Sequence, residues 1–296
     1  MSHQLWTSPI TGCRRKGTRL SELRALLGSF ITAHAILEPL QSCPADASAA
    51  EMASILHNKG FDVAGVRDQE DGPLVGYAAR EALRDGVVRD HLRPITAEHL
   101  VSDTTPLAGL MSVFNNRQHV FVLIGPEVRG IVTTADLNKP PVRVYLFGLI
   151  SLLDMHLGFW VRATYGEDSW QQTIKPARLE AARKVQADRR SRNQEMDLLD
   201  CLQFCDKRDL VLARDELRDR LGVGQKDSAE RLLKRSEDLR NLLAHSQQDL
   251  AQGSSWRELI DLVEWVEMVV HTSDDCVEEE ARRSAQRGED KLWASA

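Results

Sequence analysis

Two stretches of this chain repeat one another at a spacing of roughly fifty-five residues, and that feature narrows the choice of architecture more than any other. In the first stretch, residues 47–58 have helical spacing with Asp46 as a cap, 62–67 read as a strand, and Asp71-Gly72 as a turn. Residues 74–77 then read as a second strand, and a helix begins near Ala79. In the second stretch, residues 106–115 are helical, 119–124 are a strand, Gly125-Pro126 is a turn, 128–133 are a strand, and a helix opens at Thr134. With a short entry strand allowed, each unit reads β-α-β-β-α.

The chemistry of this half sits at the end of its second copy, in Gly130-Ile131-Val132-Thr133-Thr134-Ala135-Asp136. A hydroxyl and a carboxylate stand there where a strand hands over to a helix. Exposed amides and the positive end of a helix dipole favour a phosphate, and a nearby carboxylate accepts from ribose hydroxyls. Simple capping by Thr133 or Thr134 is the other use of the same residues. Aligning Gly76 with Gly130 sets Ala79 against Thr133 and Ala82 against Asp136, and alanine supplies neither group. The two copies resemble a tandem pair of CBS domains over residues 36–140. The resemblance implies that Thr133 contacts the phosphate and Asp136 the ribose of an adenine nucleotide, whether AMP, ADP, ATP or a relative, held as a regulatory ligand. It also implies one working cleft per chain, the first being degenerate.

Asn138-Lys139-Pro140-Pro141 ends the repeat, because consecutive prolines stop one helix and can open the next. Residues 142–161 are apolar enough in length to span a bilayer, but Arg143, Asp154 and His156 interrupt them, so a helix buried between domains or subunits is expected and no membrane partner. From there the pattern is helical: 170–193, then 196–204, 207–221, 227–250 and 256–271. Residues 175–192 carry seven basic and two acidic side chains, a surplus that suits either RNA phosphates or a solvated helix face. Asp227 with Glu230, and Ser255 with Glu258, read as capping pairs. Leu259, Leu262, Val263, Val266 and Val270 form a buried stripe, and the charged residues beyond Ser273 read as a frayed tail. At the other end, 1–17 read as a loose terminus and 21–34 as a helix.

Within 227–250 lies Arg240-Asn241-Leu242-Leu243-Ala244-His245. At about 100° per residue, Leu232, Leu239, Leu243 and Leu250 share one stripe. Asn241 and His245 project nearly opposite it, and Arg240 sits on the flank. An imidazole moves protons near neutral pH, and a guanidinium forks onto phosphoryl oxygens as charge builds up. The run RNLLAH, followed by Ser246-Gln247 in a helical context, resembles the R-x(4–6)-H signature of HEPN domains. That resemblance implies a metal-independent endoribonuclease that works on RNA as a homodimer. In it Arg240 stabilises phosphoryl charge, His245 transfers a proton and Asn241 orients a group or binds phosphate. By the same analogy it acts as a toxin or in antiviral defence, with an antitoxin or regulatory protein as a further partner.

A net charge of -6 argues against coating nucleic acid through the overall field and leaves room for a local basic surface. Five cysteines without a framework spacing, and no signal peptide, point to the cytoplasm. Cys201 and Cys205 share a helical face and, lacking a second pair or a nearby histidine, read as core residues rather than metal ligands. The expected fold class is α+β: a tail and helix over 1–35, the tandem CBS-like module over 36–140, an all-α HEPN-like bundle over 141–273, and a charged tail over 274–296. The expected function is an adenine-nucleotide-regulated endoribonuclease. The alternatives are a non-catalytic adenylate sensor whose helical domain binds RNA or a protein partner, or one whose helical domain only dimerises.

Overall fold

In the computed structural model, which describes residues 5–7, 14–16, 19–28, 31–69, 72–166, 168–245 and 249–286, the chain divides into two units. One is Gly28–Val142; the other combines Met1–Leu27 with Arg143–Ala296. Two short strands, β1 (Leu5–Thr7) and β2 (Arg14–Lys16), pair antiparallel and lead to a helix, α1 (Leu20–Gly28). The helix stops well short of residue 34, where leucine spacing would end it. Ala33–Ala35 form a separate 3-10 turn, because the amides of Ala33 and His34 donate to Thr105 O and Asp103 O at 2.9 and 2.8 Å and so leave the helical ladder.

The repeat of the sequence is a repeat of structure. After a lead-in strand β3 (Glu38–Pro39), the first copy runs β4 (Ser42–Pro44), α2 (Ala49–Lys59), β5 (Val63–Arg67), β6 (Leu74–Ala79). The second runs β7 (Leu100–Ser102), α3 (Leu107–Phe114), β8 (His119–Ile124), β9 (Glu127–Thr133). In each copy the first strand pairs parallel with the second, which pairs antiparallel with the third. The middle strand β8 buries Val120, Phe121 and Val122 completely, the near-continuous apolar run of a strand covered on both faces. Ser48, not Asp46, caps α2, its Oγ accepting from Glu51 N at 3.4 Å. Gly60 ends that helix at a φ of 70°, a left-handed position that a side chain would strain.

Two features were not visible in the periodicity. The helices expected after each third strand are only 3-10 turns, Arg80–Ala82 and Thr134–Asn138. At the second, Lys139 precedes Pro140 and is driven to an extended backbone (φ -63°, ψ 149°), so the turn cannot grow into a helix. The lead-in segments are also exchanged between copies. Glu38 and Pro39, which precede the first copy, pair with Ile131 and Gly130 of β9 in the second. Arg93, which precedes the second, exchanges both backbone hydrogen bonds with Tyr77 of β6 in the first, at 2.8 and 2.9 Å.

The helical unit contains α4 (Pro140–Tyr165, from Arg143 on), α5 (Pro176–Ser191), α6 (Phe204–Leu212), α7 (Asp215–Leu221), α8 (Lys226–Ala244) and α9 (Trp256–Gln286). Among the described residues α4 is the one helix long and apolar enough to cross a membrane, and most of its apolar window is buried. Leu146, Leu149, Leu153, Leu157, Trp160 and Val161 are wholly enclosed. The polar residues that interrupt its run have partners inside the unit. Lys207 Nζ donates to Asp154 at 3.0 Å, and His156 Nδ1 lies 2.6 Å from Ser273 Oγ, which also accepts from the Trp160 indole at 2.6 Å.

Several helix boundaries differ from the sequence pattern. Residues 196–204 hold only a 3-10 turn, Leu199–Cys201, because Arg162 draws in Asp197 and Asp200 at 2.8 and 3.1 Å. The capping contact of Gln203 N with Asp206, at 3.0 Å, also needs an extended Gln203. The helix expected over 207–221 is split where Arg214 turns extended, and 170–193 divides into a 3-10 turn, Asp168–Gln172, and α5. The Ser255–Glu258 capping pair opens α9 as expected, with Ser255 N donating to Glu258 at 2.8 Å and Glu258 N to Ser255 Oγ at 3.2 Å. The helix does not fray at Ser273 but runs on to Gln286, since buried Val270, Ser273 and Val277 continue the stripe by three- and four-residue steps.

At the start of α1, Leu20 N donates to Asp274 Oδ2 at 2.9 Å, while Asp274 Oδ1 is buried without a hydrogen-bond partner. Burial pushes this carboxyl up to about 6, against the pull of the Leu20 amide and Arg19. A carboxyl whose folded pKa lies above its unfolded value contributes stability at low pH and loses it as pH rises through the folded value, here between about 4 and 6. Asp274→Asn cannot ionise and still accepts from Leu20. It is expected to flatten that slope and to be more stable than the parent at pH 7.5 by roughly 1–3 kcal/mol. Urea unfolding of both proteins from pH 4 to 7.5 checks this; parallel curves would refute it.

Candidate functional site

Thr133 and Asp136 lie together in the wall of a cleft of about 370 Å³ in the unit of Gly28–Val142. The exchange of lead-in segments builds it. Glu38, Pro39, Leu40 and Gln41 come from the lead-in to the first copy, Phe61, Asp62 and Val63 from the approach to β5, and Gln118, His119 and Ile131 from the second copy. Asp136 is buried, and its Oδ2 accepts from both the Thr133 amide (2.7 Å) and the Thr133 hydroxyl (2.9 Å). Its Oδ1 lies 2.9 Å from Lys139 Nζ, which donates also to Glu38 Oε1 at 2.5 Å and Ile36 O at 2.6 Å. The capping that the sequence allowed was by a threonine hydroxyl; here Asp136 instead reaches back to the Thr133 amide, and the Thr133 hydroxyl donates to it. The corner behind them is a five-residue 3-10 turn rather than the helix whose dipole would favour a phosphate.

Four residues of this cleft escaped the sequence reading. Phe61 remains 39% exposed, enough for its ring to form an open apolar wall. Asp62 and Glu38 present carboxylates whose side chains are 80% and 58% exposed. His119 packs its ring edge-on to Tyr77 and Phe121, with centroids 5.6 and 5.4 Å apart. Burial, with the neighbouring charges of His99, Arg117 and Arg93, holds its imidazole below the usual histidine range and therefore neutral at pH 7. The repeat itself carried the signal: Asp62 stands where the second copy has Gln118, and Glu38-Pro39 where it has Arg93-Pro94.

The equivalent corner of the first copy has Ala79 closing β6 and Ala82 in the following turn, as the alignment on Gly76 implies. What it offers instead is Arg80. Its Nε donates to Phe61 O at 3.1 Å and its guanidinium reaches Asp62 Oδ1 at 2.5 Å. The copy without the motif thus braces two wall residues of the cleft that has it.

The second candidate site is the end of α8. Its buried stripe is Ala229, Leu233, Ser236 and Leu239, with Leu232, Leu242 and Leu243 half-buried, so the core face is rotated slightly from the leucine stripe of the sequence. Arg240, Asn241 and His245 are all exposed. The helix begins at Lys226 on Gln225, one residue before Asp227, which therefore lies in its first turn instead of capping it. It ends at Ala244, not near Leu250. His245 is its C-cap, extended at φ -107° and ψ 95°, with its amide donating to Leu242 O at 3.0 Å. Arg143 of α4 reaches the same carbonyl at 3.5 Å. The imidazole thus leaves from a helix end while the guanidinium stays on the last turn, and Ser246 and Gln247 lie outside the described residues. On α5 only Ala182 is buried, and Lys175, Lys184 and Arg190 are exposed.

No family model and no curated protein matches the chain. Among solved structures it is similar to the CBS-pair protein CBSX2 from Arabidopsis thaliana, at 19% identity over 39% of this chain and 94% of that one, with a TM-score of 0.33. It is similar also to the CBS domain of a bacterial CNNM/CorC family Mg2+ transporter, at 16% identity over 40% of this chain and 79% of that one, with a TM-score of 0.33. A third likeness is to a CBS domain pair solved in complex with 5′-methylthioadenosine and S-adenosylmethionine, at 23% identity over 36% of this chain and 95% of that one, with a TM-score of 0.31. The structures that this chain resembles over about two fifths of its length are CBS-domain pairs.

Proposed function

We propose that the unit of Gly28–Val142 is a CBS-type sensor for an adenine nucleotide or a related adenosine compound, and that the helical unit is its output, a metal-independent endoribonuclease of the HEPN type. The sensor reading is carried by one observation: the motif carboxylate Asp136 lies in a cleft of about 370 Å³ together with the exposed ring of Phe61. A purine is flat and apolar on its faces and suits Phe61 and Ile131. A ribose is a cluster of donors and suits carboxylates. Base–aromatic stacking contributes about 1–3 kcal/mol, so Phe61→Ala should weaken binding of adenosine compounds by a factor of about 5 to 160. Titration calorimetry on the full chain checks this, and an unchanged affinity would mean that the ligand lies elsewhere.

The output reading rests on the exposure of Arg240, Asn241 and His245 at one helix end. A single such set on an open surface neither excludes water nor surrounds a scissile phosphate. The proposal therefore includes a homodimer in which two sets share one cleft on RNA. The ligand alters cleavage only as far as it binds one arrangement of the protein better than another. Growth arrest as a toxin or in antiviral defence, restrained by an antitoxin or regulatory protein, is the setting such an activity suits. The exposed basic face of α5 favours a second reading, in which the helical unit binds RNA without cutting it. Incubation with total RNA in EDTA, with and without adenosine compounds, separates the two. Cleavage in either condition carries the nuclease, and intact RNA in both leaves a non-catalytic binder.

A further inference from the structure

The charge of the cleft points to a narrower class of ligand than adenine nucleotides as a whole. We infer that the cleft is built for an adenosine derivative without phosphate, neutral or cationic at its 5′ end, and that Glu38, Asp62 and Asp136 select against phosphorylated forms. The inference rests on the reading of this cleft as an adenosine site.

Three observations carry it. First, the charged residues lining the cleft are three carboxylates, with no lysine or arginine among them. His119 adds no positive charge, because its burial keeps the ring neutral. Second, the two cations that touch these carboxylates, Lys139 and Arg80, are engaged with them, three negative charges against two positive leaving one net negative charge. An ammonium has three donors, and those of Lys139 face Ile36 O, Glu38 Oε1 and Asp136 Oδ1 at 2.6, 2.5 and 2.9 Å. Arg80 is committed to Phe61 O and Asp62 at 3.1 and 2.5 Å, with His57 Nδ1 3.4 Å away. Third, three donors of the corner are already used. The Thr133 amide and hydroxyl both serve Asp136 Oδ2, and the Thr134 amide donates to Gln118 O at 3.1 Å.

A dianionic phosphate entering here would meet a net negative charge and no uncommitted cation in the lining, at a cost in desolvation. A thioether is indifferent to that field, and a sulfonium or ammonium is drawn by it. Asp62, the most exposed of the three carboxylates, is placed to meet such a cation without losing its brace on Arg80, since Arg80 holds one of its two oxygens.

The test is calorimetry of the full chain at one fixed ionic strength with adenosine, 5′-methylthioadenosine, S-adenosylmethionine, AMP and ATP. The expected order places 5′-methylthioadenosine and S-adenosylmethionine at least tenfold tighter than AMP, with ATP weaker still. Asp62→Asn should lower the affinity for S-adenosylmethionine more than that for 5′-methylthioadenosine, and narrow the gap to AMP. AMP or ATP binding as tightly as 5′-methylthioadenosine, in the parent protein, would overturn the charge argument and leave the adenosine site standing. If none of the five compounds binds, the adenosine reading falls and this inference with it.

Discussion

His245→Ala is expected to lower metal-free RNA cleavage by about a hundred- to ten-thousandfold, the range that a positioned proton-transfer group contributes. Arg240→Ala should cost as much again in kcat with little change in RNA affinity, because its guanidinium would act on charge that exists only as the phosphoryl group reacts. Both side chains are exposed at the end of α8, so neither substitution should move the unfolding midpoint, and a lost activity cannot then be ascribed to a lost fold. Arg240→Lys provides a further distinction. An ammonium keeps the charge but not the planar fork, so a true phosphoryl contact would be only partly rescued, whereas a general electrostatic role would be rescued fully. Equal cleavage by parent and His245→Ala in EDTA would end the nuclease reading.

Trp160→Ala should cost the helical unit about 3–5 kcal/mol, among the largest effects available to a single substitution. The side chain is wholly buried on α4, its ring stands edge-on to Phe159 with centroids 5.1 Å apart, and the Arg220 guanidinium lies 5.2 Å from the ring centroid. Its indole donates to Ser273 Oγ, the atom that also faces His156, so truncation opens a cavity and removes a polar partner together. Trp160→Phe keeps most of the volume and loses the donor, and should cost roughly 1–3 kcal/mol. Because the chain holds two units, the thermal transition should be resolved calorimetrically and only the helical component should shift. A loss below 1 kcal/mol for the alanine variant would mean that α4 and α9 do not meet through this residue.

Where local pattern decides structure, the sequence was readable. The strands β5, β6, β8 and β9, the long buried α4, the Ser255–Glu258 start of α9 and the exposure of Arg240, Asn241 and His245 all follow from spacing and capping chemistry. Reading failed where distant groups compete with the local ladder. Asp103 and Thr105 take amides that would have continued a helix past Gly28, and Arg162 takes carboxylates that sit in an otherwise helical pattern. His245 leaves α8 one residue past its end, which an angle of 100° per residue cannot anticipate. The cleft was half legible. Thr133 and Asp136 stand in one short motif, whereas Glu38 and Asp62 are separated from it in sequence, Glu38 meeting it through the exchanged lead-in segment and Asp62 from the approach to β5.

That exchange sets what can be dissected. Cutting between the copies would part β9 from Glu38 and Pro39 and part Tyr77 of β6 from Arg93, adding bare backbone to sheets whose opposite edges are β7 and β4. The halves are thus interlocked like clasped hands. Under the proposed binding, a displacement of Glu38 would pass to β9 through its pairing with Ile131 and to the entry of the first copy, so that the pair would respond as one.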